Sequence, residues 1–340
     1  MGQGGLVMKK KRLKVLLLLV IIIGTLVGCE KETSKIEDEP KFSVILMDKE
    51  IKKYIEKAKD EKLNMDKARE LYNRTVLAPI FGTENISQEY LDKNNFPSHI
   101  IGYKELENLV DILAEEDAVG IVERALEKSR EYFPLDEEVK VYILPSKDRS
   151  QWDIEYDTGI NASTSLQDQN RAIIIFINPI IGEWKSRIPR TVAHEYHHMV
   201  WGSRNFVSEE QKRKKWDLIH WLVSEGEANV FADMVYPDIE ALSLSSSYYQ
   251  YYWTELGYDE KQIWNKIKPY LNNTDYDYYS KVMFGDYLEF PRNAGYKIGY
   301  NIMQEFIKNN PEISIEEWTD MDAREILEKS GYEEKMENSN

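Results

Sequence analysis

Residues 191–203 read TVAHEYHHMVWGS, and His194, Glu195 and His198 within them form an HExxH string. On a helix, positions four apart differ by about 40° around the axis and lie one turn apart, so both imidazoles can face a single cation. Glu195 then sits about 100° round, where its carboxylate reaches water rather than the cation. Zinc in a hydrolytic site takes three protein ligands and keeps a fourth position for water, whose pKa it lowers towards neutrality. A carboxylate alongside acts as general base, taking a proton from that water and returning it to the leaving amine. His197 is the alternative to one of the pair, although it lies about 60° from His194 on the other side.

A third ligand is required, and DLIHWLVSEGEANVFADMVY, Asp217 to Tyr236, is expected to form the helix that supplies it. With Leu222 at the centre of its apolar side, Glu225 falls at about −60°, Asn229 at about −20° and Asp233 at about +20°, whereas Glu227 falls at about 140°. Glu225 is therefore the expected third ligand. Asn229 or Asp233 would orient an imidazole N–H, and Glu227 reads as an ordinary exposed acid. Asp233, Glu227 and His220 stay open as alternative ligands, and Gly226 would let this helix pack closely on the HExxH helix.

These groups need a scaffold. Pro189 reads as an early residue of the metal helix and Gly202 as its stop. Val139–Leu144 and Ala172–Ile177 read as strands of a small sheet beside that helix, the second too continuously apolar to have a wet face. The polar residues 146–170 between them are expected to rim a cleft. Apolar residues at helical spacing predict one or two amphipathic helices over 50–77 and more helix over 103–133, broken near Gly120 and stopped before Pro134. The fold class is thus α+β and mainly helical, with a helical C-terminal half through Ile302 and Ile326. We divide the chain into a mostly helical region at 42–136, a catalytic region at 137–333 and a frayed tail at 334–340.

The ends and the charge narrow the setting. Lys9, Lys10, Lys11, Arg12 and Lys14 precede an apolar run from Val15 to Val27. This is the pattern of a secretory signal over 1–28, and it is shorter than the roughly 20 residues of a spanning helix, the alternative reading. The run ends Leu26-Val27-Gly28-Cys29, which resembles a bacterial lipobox, and Cys29 is the one cysteine of the chain. A lone thiol there fits lipid attachment better than redox chemistry. Residues 29–41, closed by Pro40, read as a flexible tether, and Met8 is a second candidate start. The expected location is the cell membrane, lipid-anchored and extracytoplasmic. A formal charge of −16, more acidic still without the signal, excludes nucleic acid as a partner by repulsion.

HEYHH followed by WLVSEGEAN resembles the gluzincin peptidases, whose HExxH pair is completed by a Glu on a following helix, commonly within EGxA; here that string is Glu225-Gly226-Glu227-Ala228. The chain looks most similar to the YjaZ-like family of predicted zinc-dependent proteases. AIIIFINP before the metal helix, FGD at Phe284–Asp286 and AGYKIGYNI at Ala294–Ile302 fit the likeness. The resemblance implies a zincin-like fold, one Zn2+ per chain held by His194, His198 and Glu225, and Glu195 as catalytic base. Asn229 departs from the pattern, since many gluzincins carry Asp there. Related peptidases often stabilise the oxyanion with Tyr or His, and Tyr296 is the candidate here, with simple packing as its alternative role.

The reading is a zinc-dependent hydrolase of peptide or protein substrates; the alternative is a non-catalytic metal- or substrate-binding surface lipoprotein. The anchor has its own test. Cys29→Ser is expected to abolish palmitate labelling and move the protein from the membrane fraction to the soluble fraction, and label retained by the variant would rule out Cys29 as the attachment point.

Overall fold

Two strands with no wet face organise the molecule. Ala172–Ile177 (β4) is buried at every position, and Val139–Pro145 (β2) nearly so, as continuous aliphatic runs must be when both faces of a sheet are covered. In this computed structural model they are the central strands of a four-stranded sheet, with the strand at 42–46 beside β2 and the strand at 160–165 beside β4. Phe42–Leu46 (β1) and β4 both run parallel to β2, while Ile160–Ser165 (β3) is antiparallel to β4, pairing Thr164 with Ile173. The structure describes residues 42–339 except 62, 84–85, 87–90, 92–101, 147–158, 166–170, 182, 206–215, 241–252, 255–256 and 286–287. The expected signal, the tether, Cys29 and Met8 lie outside the described residues, and no described helix is long and apolar enough to cross a membrane.

Side chains alternate across the sheet. Tyr142, Leu144, Ile174 and Phe176 point to one face, where they pack with Asp48–Glu61 (α1), Met65–Tyr72 (α2), Ala78–Phe81 (α3) and Tyr103–Glu115 (α4). Val139, Val141, Ile143, Ile173, Ile175 and Ile177 point to the other, against Ala118–Tyr132 (α5), Trp184–Asn205 (α6) and Leu218–Val235 (α7). Pro40–Asn340 make one compact unit, mainly helical with a small mixed sheet. Beyond α7 the described elements are helices: Glu260–Ile267 (α8), Tyr276–Phe284 (α9), Ala294–Asn309 (α10), Ile315–Thr319 (α11), Ala323–Ser330 (α12) and Tyr332–Asn338 (α13).

Local expectations shift in several places. The helical break falls at Asp117, in left-handed conformation at φ 55°, and Gly120 lies inside α5. Pro189 is the sixth residue of α6 rather than an early one, because buried Trp184 anchors an extra turn before it, and Gly202 is buried within the helix, which runs on to Asn205. The polar stretch 146–170 contributes strand β3. The tail expected to fray from residue 334 is helix to Asn338, fixed by buried Tyr332 and Met336.

The closest helix crossing joins α7 to α10. A Cβ on Gly226 would clash with the Gly299 carbonyl, and one on Gly299 would clash with the carbonyl of Leu222. Gly226 thus packs against α10, not against α6 as its position beside Glu225 suggested. Gly299→Ala is expected to lower the urea midpoint by an amount equal to about 1–3 kcal/mol, since a backbone carbonyl cannot rotate aside as a side chain can; an unchanged midpoint would mean the crossing has slack.

Candidate metal centre

α6 and α7 run antiparallel and meet at three polar residues. His194 and His198 stand one turn apart on α6 with their rings edge to face, 4.8 Å between centroids, and their Nε2 atoms are 3.2 Å apart. Glu225 Oε2 on α7 lies 3.2 Å from His194 Nε2 and 3.5 Å from His198 Nε2. Tetrahedral zinc, with bonds of about 2.0–2.2 Å to N and O, holds its ligand atoms about 3.3 Å apart. The triangle therefore has the size of one face of a zinc tetrahedron. Although both imidazoles come within ion-pair distance, Glu225 Oε2 is buried and meets no donor in hydrogen-bond geometry. Such an atom is costly unless a cation supplies the missing partner. These three form a group able to hold a metal ion, and the two-imidazole, one-carboxylate donor set suits zinc.

The electrostatics are those of a mutually supporting set. Burial alone would raise Glu225, yet His198 and His194 hold its carboxyl well below the usual range. Burial alone would lower His198, but the negative charge of Glu225, with Glu195 adding, raises it. Glu195 is only 6% exposed. Its Oε2 accepts a 2.6 Å hydrogen bond from the Thr164 hydroxyl, which also lies 3.1 Å from the Glu195 carbonyl oxygen. Thr164 belongs to edge strand β3, so sheet and metal helix are joined at this carboxylate.

Tyr296 lies on α10, one turn before Gly299, and its phenol is raised well above the ordinary value by burial, then by Glu225, Tyr279 and Glu195. Its helix packs through Gly299 directly on the helix that carries Glu225. Tyr279 on α9 is raised by burial and by Glu225. Neither Thr164 nor Tyr279 stands out in the sequence: one sits in a polar strand without apolar alternation, the other among 22 tyrosines.

Asn229 and Asp233 do not orient an imidazole. Asn229 Nδ2 donates to the Glu225 carbonyl at 2.8 Å, and its Oδ1 accepts from Arg190 at 3.3 Å. Asp233 accepts from Arg190 Nη2 at 2.8 Å and from the Tyr300 hydroxyl at 2.8 Å. The antiparallel register carries residues 229 and 233 past the histidines to Arg190, leaving Ser224 Oγ nearest His198 Nδ1, at 3.5 Å.

The alternative ligands lie elsewhere. His197 is fully buried, stacked on Trp318 with 5.2 Å between centroids and 3.4 Å from Thr319 Oγ1. Glu227, expected to be exposed, is 1% exposed, because α7 is buried at every position from Leu222 to Ala232. Burial, with Asp320 adding, raises its carboxyl well above the ordinary range. His220 lies with Asp217 and Asp322.

No curated protein and no solved structure matches the chain. A family profile does, over residues 118–328, a span containing β2–β4, α6, α7 and α10 and hence every residue of the centre. The chain belongs to the DUF2268 family, described as predicted Zn-dependent proteases.

Proposed function

We propose that this protein is a zinc-dependent peptidase of gluzincin type with a zincin-like catalytic region, held by lipid on Cys29 at the outer face of the cytoplasmic membrane. The observation that carries the reading is the convergence of His194, His198 and Glu225 on one point beside the buried carboxylate of Glu195. His194, His198 and Glu225 are the residues that would hold the metal, through the two Nε2 atoms and a carboxylate oxygen. Zinc so held polarises a carbonyl and lowers the pKa of water.

The remaining work falls to the chain itself. With Oε2 engaged by Thr164, Glu195 keeps Oε1 for the attacking water, takes its proton and delivers it to the departing amine. Asn229 and Arg190 hold the backbone of α7 at Glu225 and so fix the third ligand from behind. Tyr296, kept protonated by burial and by the two carboxylates, remains an O–H donor through the working pH range and is the group we assign to the developing oxyanion. The acidic chain and the tether-borne anchor suit protein or peptide substrates outside the membrane.

Two measurements test this. Metal analysis of the purified protein is expected to find about one zinc per chain, and Glu225→Ala is expected to weaken zinc binding by more than the ~10–100-fold typical of outer-shell changes; undiminished affinity would remove Glu225 from the ligand set. Glu195→Gln is expected to retain zinc and lose about 10²–10⁴-fold in peptide hydrolysis. Full activity in that variant removes Glu195 as base, and zinc bound without turnover of any peptide pool favours the non-catalytic lipoprotein.

A further inference from the structure

A continuous run of aromatic rings starts at the metal centre. Trp201 follows His198 by three residues on α6 and Trp221 precedes Glu225 by four on α7, so each ligand helix carries an indole one turn from its ligand. Trp216, just ahead of α7, joins them, its ring centroid 4.6 Å from each. Trp221 continues to Tyr279 at 4.7 Å, Tyr279 to Phe284 at 6.1 Å and Phe284 to Tyr296 at 6.3 Å. The run thus leads from the two ligand-bearing helices through α9 to Tyr296 on α10.

All six residues keep part of their surface in solvent, with Tyr279, Phe284 and Tyr296 also packed against the core. Contiguous apolar area left in water beside a polar centre is the mark of a binding surface rather than of a core. The rings meet at angles of 42° to 84°, presenting edges and faces that wrap a bulky apolar group better than a flat one. Distance selects the occupant. Trp221 is one helical turn, about 5.4 Å, from Glu225, less than two residues of extended chain at about 3.3 Å each. A peptide bond held at the metal therefore brings its nearest side chains onto the rings.

We propose that this aromatic wall selects peptides bearing a large apolar or aromatic side chain within two residues of the bond held at the metal centre. The inference rests on the peptidase reading for its geometry and on the ring contacts for its chemistry. The probes are two end-blocked octapeptides identical except for a central Phe or Ala. With zinc-loaded Glu195→Gln protein, indole fluorescence is expected to report about tenfold or more tighter binding of the Phe peptide. Trp221→Ala is expected to erase that preference with zinc content unchanged, and Trp221→Phe to keep part of it; should Trp221→Ala fail to fold, Tyr279→Leu serves in its place. Equal binding of the two peptides, or a preference that survives substitution, overturns the wall. A fluorescence shift with phosphatidylglycerol vesicles and none with either peptide overturns it in favour of membrane contact. Wild-type protein that binds the Phe peptide selectively but never cleaves it leaves the wall standing and removes the peptidase reading, whereas equal cleavage of both peptides does the reverse.

Discussion

Arg190 reaches across from α6 to α7, where its guanidinium, 8% exposed, meets the Asp233 carboxylate and both oxygens of Asn229. A cation this deep is tolerated only when paired. Sliding either helix by one turn would strand it, so the pairing specifies register more than it adds stability. That register decides which residues of α7 oppose the two histidines: with Arg190 at Asn229 and Asp233, Glu225 falls opposite His194 and His198. Tyr300 extends the same tie to α10, and the glycine contact of α7 with α10 then sets how near Tyr296 comes. Ligand geometry is thus dictated one turn away from the ligands.

Two ionisable groups under this arrangement are kept neutral. His197 is held well below its ordinary value by burial, with His198 and His194 adding, and Glu227 well above its own by burial and Asp320. Each leaves one buried atom without a hydrogen-bond partner, His197 Nδ1 and Glu227 Oε2. Uncharged, they cost far less in the interior than as ions. Among the described residues, the acids that act on His198 are then Glu225 and, more weakly, Glu195.

Much of this was legible in the chain. HEYHH carries its own geometry, since a spacing of four on a helix admits one arrangement of two imidazoles. The aliphatic runs at 139–144 and 172–177 announce buried strands because no surface tolerates them. α7 begins at Leu218, directly after Asp217, where the sequence places its start. What escaped has physical reasons. FSVIL is too short and INASTS too polar to declare a strand, and both pair only because β2 and β4 offer edges. Pro189 and Gly202 read as punctuation until Trp184 and the core beyond overrule them. A helical wheel gives α7 one wet side and puts Glu227 on it, yet neighbours cover that side from Leu222 to Ala232. The partners of Asn229, Asp233 and Thr164 depend on how elements cross, which no linear pattern records.

The sheet joins segments far apart in the chain, and that fixes an order of assembly. β1 must wait for β2, roughly a third of the described chain later, and between them lies most of the helix that covers one face. Long-range parallel pairing closes late because its loop entropy is lost before contacts repay it. α6 and α7 are near neighbours along the chain and can zip together early. A partly folded molecule would accordingly possess a formed donor triangle before it possesses a closed sheet, and a cation captured there would act as a clasp on which the rest of the protein is built.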